Sequence, residues 1–322
     1  MAAATSKTRP PRTRPRLGIA LGSGSARGWA HIGVLRALGD AGIEPDVVCG
    51  TSIGALVGAA YVTGQLDALE RWARSIRWFD IVRLMDVTLA RGGFIEGARL
   101  FEALRSRHSE VHIEALPKPF AAVATDFASG REVWLQHGPL IDAVRASASL
   151  PGLFPPVPSA DGWLVDGGLV NPVPVSVCRA LGAEVVVAIN LNSDLTARNA
   201  PPRLSRRRLE LSGAVAGATK LSARLREQLR GTTSRLATSL RSNKQDTPSL
   251  IEVLAGALYI MQDRITRSRM AGDPAEVVLT PRLGGIRLLD FDRADEAIAA
   301  GYACVTAMLP VLQPALATPP ER

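Results

Sequence analysis

Cysteine, histidine and aromatic residues are scarce in this sequence, and each shortage excludes a class of protein or site. The 322 residues include three cysteines and four histidines, and aromatic residues make up 5%. The cysteines, at positions 49, 178 and 304, lie far apart and form no Cys-x-x-Cys pair. This pattern argues against a zinc ribbon and against a disulfide-stapled scaffold. We therefore expect neither a metal site nor a disulfide framework.

Long apolar segments are also missing. No apolar run approaches the roughly 18 residues that a membrane-spanning helix needs. Residues 1–16, MAAATSKTRPPRTRPR, lack the apolar core of a secretory signal. Hydrophobic residues nevertheless make up 47% of the chain and charged residues 21%, which is enough to bury a large core. The sequence predicts a globular protein of a reducing compartment, cytoplasmic or peripheral on the membrane.

Positive charge is concentrated in two segments. Residues 198–245 hold twelve Lys or Arg against two Glu, a net charge of +10, and residues 1–16 add +5, whereas the whole chain carries +8. Residues 198–245 include no aromatic residue on which a base could stack, which argues against nucleic acid as a partner. Leu221, Leu225 and Leu229 recur among arginines as in a basic amphipathic helix. Two interpretations stay open: a helix on an anionic membrane, and a surface helix with a solvated face.

Strands and helices alternate along the chain. The predicted strands cover 16–21, 46–49, 119–125, 132–135, 163–165, 185–190 and 276–279. The predicted helices cover 29–41, 53–63, most of 66–105, 140–148, 174–181, 249–269 and 293–309. Such alternation is typical of α/β proteins with a mainly parallel sheet and right-handed crossovers.

Four segments are distinguished by composition and pattern. They are a mobile basic tail (1–15), a core (16–192), a basic insertion that is flexible or amphipathic-helical (193–247), and a C-terminal helix–strand–helix that packs on the core (248–322).

A glycine-rich loop, GSGSARG at 22–28, joins the first strand to the first helix. It does not match the dinucleotide fingerprint, because Arg27 stands where the third glycine should be. The second strand also ends in Cys49 and not in the acidic residue that would bind a ribose. Small residues at a helix N-terminus let backbone N–H groups approach an anion, so the loop suits a phosphate or the oxyanion of an acyl transfer. The alternative is a simple tight turn, but that would require only one or two glycines and would not explain the whole run of small residues.

Gly50-Thr51-Ser52-Ile53-Gly54 has the Gly-x-Ser-x-Gly pattern, with a strand before it and a helix after it. In this context the serine hydroxyl is presented on a sharp turn, where it can act as a nucleophile. The alternative is a serine that merely caps the second helix. A Ser-His-Asp triad on the α/β-hydrolase fold is excluded, because no histidine follows His137. His31, on the first helix, is interpreted as a structural histidine.

Without a histidine, the general base must be another side chain, and a buried carboxylate can take this role. Asp166 is the best candidate, because it ends a strand and two glycines follow it, leaving room for the serine to approach. The alternative is that Asp166-Gly167 is merely a turn signal.

Three motifs in this order, GSGSARGWAHIGVL (22–35), GTSIG (50–54) and DGG (166–168), resemble the bacterial branch of the patatin-like phospholipase family. The resemblance covers residues 16–192, and MAGDPAEVVL (270–279) and AIAAGY (297–302) resemble its C-terminal part. It implies a three-layer α/β/α sandwich with a mainly parallel central sheet. It also implies hydrolysis of lipid esters by a Ser–Asp dyad, with no metal or cofactor.

Carried over by position, the resemblance makes Ser52 the nucleophile and Asp166 the base. The backbone N–H groups of Gly24 and Ser25 then form the oxyanion hole, and Arg27 touches a substrate phosphate. The remaining motif positions are Gly22, Gly28, Gly50, Gly54, Gly167 and Gly168. The chain departs from the family at Ser23 and Ser25, where many members have glycine, although a backbone donor does not require glycine.

The expected function is therefore a phospholipase or lysophospholipase type of ester hydrolysis, with a lipid ester as substrate. One alternative is a non-catalytic membrane-associated or regulatory module, in which residues 198–245 contact an anionic membrane and the dyad is idle. The other is a thioesterase or protease that uses the same dyad.

Overall fold

The computed structural model describes residues 14–77, 111–160, 162–193 and 250–317. The chain forms two compact units, residues 1–199 with 258–322 and residues 200–257, and the elements below belong to the first unit except for the beginning of one helix. Nearly all of the predicted basic tail and basic insertion lies outside the described residues, as does the predicted helical segment from residue 78 onward. The division into four segments stays a prediction.

The described residues form one eight-stranded sheet. The strands are β1 (Leu17–Leu21), β2 (Val47–Thr51), β3 (Phe120–Asp126), β4 (Glu132–Leu135), β5 (Val157–Ser159), β6 (Gly162–Asp166), β7 (Val185–Ile189) and β8 (Val277–Leu279). Their order is β5-β6-β3-β2-β1-β7-β8, and β4 pairs with β3. The pairs among β1, β2, β3, β7 and β8 are parallel, and the pairs that involve β4, β5 and β6 are antiparallel. This confirms the predicted α/β class with a mainly parallel sheet.

Helices cover both faces of the sheet. They are α1 (Ala30–Asp40), α2 (Ile53–Val62), α3 (Leu66–Ser75), α4 (Leu140–Ser147), α5 (Val175–Ala180), α6 (Leu250–Gly272) and α7 (Ala294–Ala317). Successive residues of a strand point to opposite faces, so β1 contributes to two cores. Leu17, Ile19 and Leu21 belong to the core built with α1, α2 and α7, whereas Ala20 belongs to the core built with α5. These layers form the expected α/β/α sandwich.

Two strands differ from the predictions. β2 continues through Gly50 and Thr51, which have partners in β3 at Ala122 and Val123, so pairing with a neighbour overrides the low strand propensity of glycine. The short strand β5 forms a hairpin with β6, as the turn signal Asp161-Gly162 indicates, although it is not among the strands predicted above.

Helix α7 corrects the expectation about apolar segments. Residues 291–317 are long and apolar enough to cross a membrane, judged by length and composition alone. Glycine, threonine and two prolines interrupt the aliphatic residues of α7, so the sequence shows no continuous apolar run there. In the structure one face of α7 packs against α1, where Gly301 lets the two backbones touch. A methyl group at Gly301 would lie 2.0 Å from the Ala30 carbonyl oxygen.

Candidate active site

The site forms where two strands meet end to end beside β3. Thr51 of β2 pairs with Val123, and Asp166 of β6 pairs with Ala124, the next residue of β3. Strand β4 occupies the other side of β3 at both positions, so β2 and β6 share one side and run toward each other. Ser52, which follows β2, therefore meets Asp166, although the two are 114 positions apart in sequence.

The turn around Ser52 is strained and tightly packed. Ser52 has φ 58° and ψ −124°, a backbone conformation that residues with a side chain rarely adopt. Its backbone N–H donates a hydrogen bond to Ser147 Oγ over 2.9 Å. Residue 54 must be glycine because the backbone of β1 lies so close that a methyl group there would be 2.1 Å from the Leu21 carbonyl oxygen. The turn is thus held by β1 on one side and by α4 on the other.

Ser52 and Asp166 share a short buried hydrogen bond. Ser52 Oγ donates to Asp166 Oδ2 over 2.5 Å, and the Gly168 N–H donates to Asp166 Oδ1 over 2.7 Å. Asp166 is fully buried, whereas Ser52 is 8% exposed. Burial raises the pKa of Asp166 to about 6, against the opposing effect of the two hydrogen bonds. The carboxylate is therefore ionised at neutral pH and basic enough to accept a proton.

The backbone of Asp166 is fixed by two further contacts. Thr125 Oγ1 donates to the Asp166 carbonyl oxygen over 2.8 Å, and the Asp166 N–H donates to the Ser149 carbonyl oxygen over 3.0 Å. Sequence reasoning did not identify Thr125, Ser147 or Ser149. The small residues 147–149 before Pro151 were the available signal, but their spacing does not indicate a contact between Ser147 and Ser52, which is 95 positions away.

The glycine-rich loop leaves two backbone amides unused. Four of its other amides donate to backbone carbonyl oxygens: Gly22 to Ile189, Ser23 to Pro172, Ala26 to Leu288 and Arg27 to Gly24. Among the residues that the structure describes, the N–H groups of Gly24 and Ser25 have no acceptor. Adjacent free amides in a turn can bind a developing negative charge.

The serine at position 25 contributes to the shape of this loop. Ser25 has φ 50°, and its hydroxyl donates to the Leu288 carbonyl oxygen over 2.7 Å. The same carbonyl accepts the Ala26 N–H over 3.2 Å. The side chain thus stabilises a conformation that glycine would adopt without strain.

His31 lies beneath the loop in a structural role. It is fully buried, and its Nε2 donates to the Gly22 carbonyl oxygen over 2.7 Å. Burial lowers its pKa to about 4, so the ring is neutral at physiological pH. This agrees with the interpretation of His31 as a structural histidine.

Arg27 lies inside the protein and away from the surface. Its guanidinium is fully buried, with the Cζ atom 3.9 Å from the centre of the Tyr259 ring and Nη1 donating to the Leu191 carbonyl oxygen over 3.4 Å. Burial lowers the pKa of the guanidinium. Its Nε and Nη2 atoms are buried and have no hydrogen-bond partner among the described residues. The phosphate contact expected of Arg27 stays a prediction.

The motif glycines other than Gly24 all lie close to atoms of neighbouring residues. An added methyl group would come within 2.1 to 2.6 Å of a neighbouring atom at Gly22, Gly28, Gly50, Gly54, Gly167 and Gly168. Each glycine therefore permits one of the close approaches from which the site is built.

Within the described residues, no group of three or more His, Cys, Asp or Glu side chains is placed to hold a metal ion. The predicted contact surface for an anionic membrane, residues 198–245, lies outside the described part of the chain.

Comparison with known proteins gives a consistent set of relatives. A family described as patatin-like phospholipase matches residues 19–179. Uncharacterized NTE family proteins of Mycobacterium tuberculosis and Mycobacterium bovis are 33% identical over 329 residues, which covers 92% of this chain and 91% of each relative.

Larger proteins match over a smaller region. A patatin-like phospholipase domain-containing protein of Caenorhabditis elegans is 39% identical over 184 residues, covering 55% of this chain and 14% of that protein. Neuropathy target esterase sws of Drosophila melanogaster is 36% identical over 185 residues, which covers 55% of this chain and 13% of that protein. The crystal structure of VipD from Legionella pneumophila has a TM-score of 0.44 at 14% identity and covers 93% of this chain and 67% of VipD.

Proposed function

Because the chain belongs to the patatin-like phospholipase family, a family of lipid acyl hydrolases, we propose that it hydrolyses a carboxylic ester of a lipid. Ser52 is the nucleophile and Asp166 the general base. The observation that carries the proposal is the 2.5 Å hydrogen bond from Ser52 Oγ to a fully buried carboxylate. That bond already points the serine proton at the group that would take it.

In the first step Ser52 Oγ bonds to the ester carbonyl carbon, and its proton moves to Asp166 Oδ2. The C–O bond to the alcohol then breaks, and the alcohol takes the proton from Asp166. In the second step a water attacks the acyl-enzyme, Asp166 accepts the water proton, and the proton returns to Ser52 as the fatty acid leaves. A single carboxylate can serve both steps because it is restored after each one.

The N–H groups of Gly24 and Ser25 are proposed to bind the oxyanion of the tetrahedral intermediate. Support for this comes from their position in the loop and from the lack of another acceptor for them among the described residues. In other enzymes, removal of one such donor lowers kcat by about 100- to 1000-fold. The charge forms only during the reaction, so these amides stabilise the transition state more than the bound substrate.

A fluorophosphonate probe tests this proposal, because it reacts only with an activated serine. We expect one equivalent of label on the full-length protein, mapped to Ser52 by peptide mass, and turnover of a lysophospholipid, a diacyl phospholipid or a simple ester that the label blocks. The exposed Ser75, at the end of α3, should stay unlabelled. Absence of labelling together with absence of turnover would favour the non-catalytic module. Turnover of thioesters or peptides alone would favour the other alternative.

We also propose that residues 198–245 attach the protein to anionic lipid, at the cytoplasmic face of a membrane. The support is the net charge of +10 in this segment and the leucine repeat within it. We expect sedimentation with vesicles that contain phosphatidylglycerol and loss of binding as salt rises, because salt screens the attraction.

The variant R206Q/R207Q/R208Q should bind such vesicles more weakly than R71Q/R264Q/R282Q. Both variants remove three positive charges, but the second removes them from exposed positions outside the segment. Equal binding by the two variants would contradict a role for the segment.

A further inference from the structure

Gln262, in the middle of α6, connects the glycine-rich loop to the C-terminal part of the chain. Its side chain is 2% exposed. Gln262 Nε2 donates to Ser23 Oγ over 3.3 Å, and Asn192 Nδ2 donates to Gln262 Oε1 over 2.9 Å. The Asn192 N–H in turn donates to Asn190 Oδ1 over 3.0 Å. A buried amide with both ends bonded is held in one orientation.

This amide lies directly beside the dyad. The point where a methyl group at Gly168 would stand is 2.6 Å from Gln262 Nε2 and 2.9 Å from both Asp166 Oδ1 and Ser23 Oγ. Gln262, Ser23 and the catalytic carboxylate thus face one small space, which stays open because residue 168 is glycine. No motif in the sequence points to Gln262.

The loop that carries the oxyanion donors is therefore tied at two places. Ser23 bonds Gln262 on one side of Gly24, and Ser25 bonds the Leu288 carbonyl oxygen on the other. Both partners lie beyond residues 19–179, the part of the chain that matches the family.

We propose that Gln262 is a positioning residue: through Ser23 it holds the glycine-rich loop so that the Gly24 and Ser25 amides point at the oxyanion. The proposal rests on the proposed function. Since the oxyanion exists only during the reaction, a displaced loop slows the chemical step and leaves ground-state binding of substrate nearly unchanged. A shift of a few tenths of an ångström in such donors is enough to matter.

The test compares Gln262→Met, which keeps the length of the side chain but cannot bond Ser23, with the wild type. We expect kcat for a soluble nitrophenyl ester to fall about 10- to 100-fold while KM changes less than about twofold. Ser23→Ala should have a similar effect, and the double variant should be no slower than the slower single variant, because both remove the same contact. Arg264→Gln, an exposed change on the same helix, should leave kcat unchanged.

A second readout does not depend on activity. In Gln262→Met, amide hydrogen exchange in a peptide spanning residues 22–28 should be faster than in the wild type, with exchange in β7 unchanged. Unchanged exchange in the loop, a kcat within twofold of the wild type, or effects of the two single variants that multiply would each overturn the proposal. If the wild type and Ser52→Ala hydrolysed esters equally slowly, the proposed function would be wrong. The hydrogen-exchange measurement would still decide whether Gln262 holds the glycine-rich loop.

Discussion

Ser52→Ala is expected to lower kcat for a short-chain nitrophenyl ester by at least about 10⁴-fold, because no other nucleophile can form the acyl-enzyme. Ser52 lies against the only general base in the proposal, and its Oγ makes the 2.5 Å hydrogen bond that starts the reaction. Stopped assays with purified protein measure the effect. Ser75→Ala, at an exposed position, should keep the wild-type rate. Undiminished hydrolysis by Ser52→Ala would refute the assignment.

The stability of the Ser52 variants provides a separate check on the strained turn. Alanine keeps a Cβ atom at φ 58°, so Ser52→Ala retains the backbone strain, whereas Ser52→Gly relieves it. We expect Ser52→Gly to be more stable than Ser52→Ala by about 1 kcal/mol in urea unfolding, with both variants inactive. Equal stability would indicate that the turn stores no strain.

Asp166→Asn is expected to lower kcat by about 10³- to 10⁴-fold, since asparagine fits the same space but cannot accept a proton. In the wild type, kcat/KM for a soluble ester should rise with pH through about 6 as the carboxyl ionises, and level off above it. The residual activity of Asp166→Asn should lack this rise. A wild-type profile that is flat between pH 5 and 7 would contradict Asp166 as the base.

The same substitution should stabilise the protein at pH 8. The pKa of Asp166 is raised from 3.8 to about 6 in the folded state, so folding becomes less favourable as pH rises from about 4 to 6. At 1.36 kcal/mol per pKa unit, the penalty at pH 8 is of order 3 kcal/mol. Asp166→Asn removes this penalty but changes the hydrogen bond to Ser52, and we expect a net gain of about 1 to 3 kcal/mol.

The direction of this stability change distinguishes Asp166 from a carboxyl group whose pKa is lowered by folding. Below about pH 4 the folded and unfolded forms are both protonated, and the advantage of Asp166→Asn should disappear. The partly exposed Asp126 is the matched control, since hydrogen bonds from Ser129 lower its pKa and its ionised form favours folding. Asp126→Asn should therefore give no gain at pH 8. Urea unfolding at pH 4 and pH 8 measures both variants, and a loss of stability in Asp166→Asn at pH 8 would contradict the assigned environment.

Several features of the site follow from local pattern alone. Gly50, Ser52 and Gly54 between a strand and a helix predict a sharp turn, because each requirement is met within five residues. Asp166 could be selected because a strand end and two glycines surround it. The partners that hold these groups could not be selected. Thr125 and Ser147 are ordinary residues of a strand and a helix, and only their packing makes them neighbours of the dyad.

The C-terminal part of the chain makes contacts that its hydrophobic pattern does not predict. The sequence predicted helices close to α6 and α7, but it did not indicate that Gln262 of α6, or Leu288 in the segment before α7, contacts the glycine-rich loop. Gln262 and Leu288 are separated from that loop by more than 230 residues. The burial of Arg27 beside the Tyr259 ring could not be predicted from the sequence either, because it depends on a contact between residues far apart in the chain.

The sequence by itself determined the α/β class, the serine proposed as nucleophile and the turn that carries it, because these depend on hydrophobic periodicity and on backbone conformations set within a few residues. Only the tertiary structure decided that Ser52 and Asp166 touch, since this depends on β2 and β6 meeting end to end on one side of β3. The raised pKa of Asp166 and the two contacts that hold the glycine-rich loop were likewise decided by the tertiary structure. They arise from burial and long-range contacts, which no local pattern encodes.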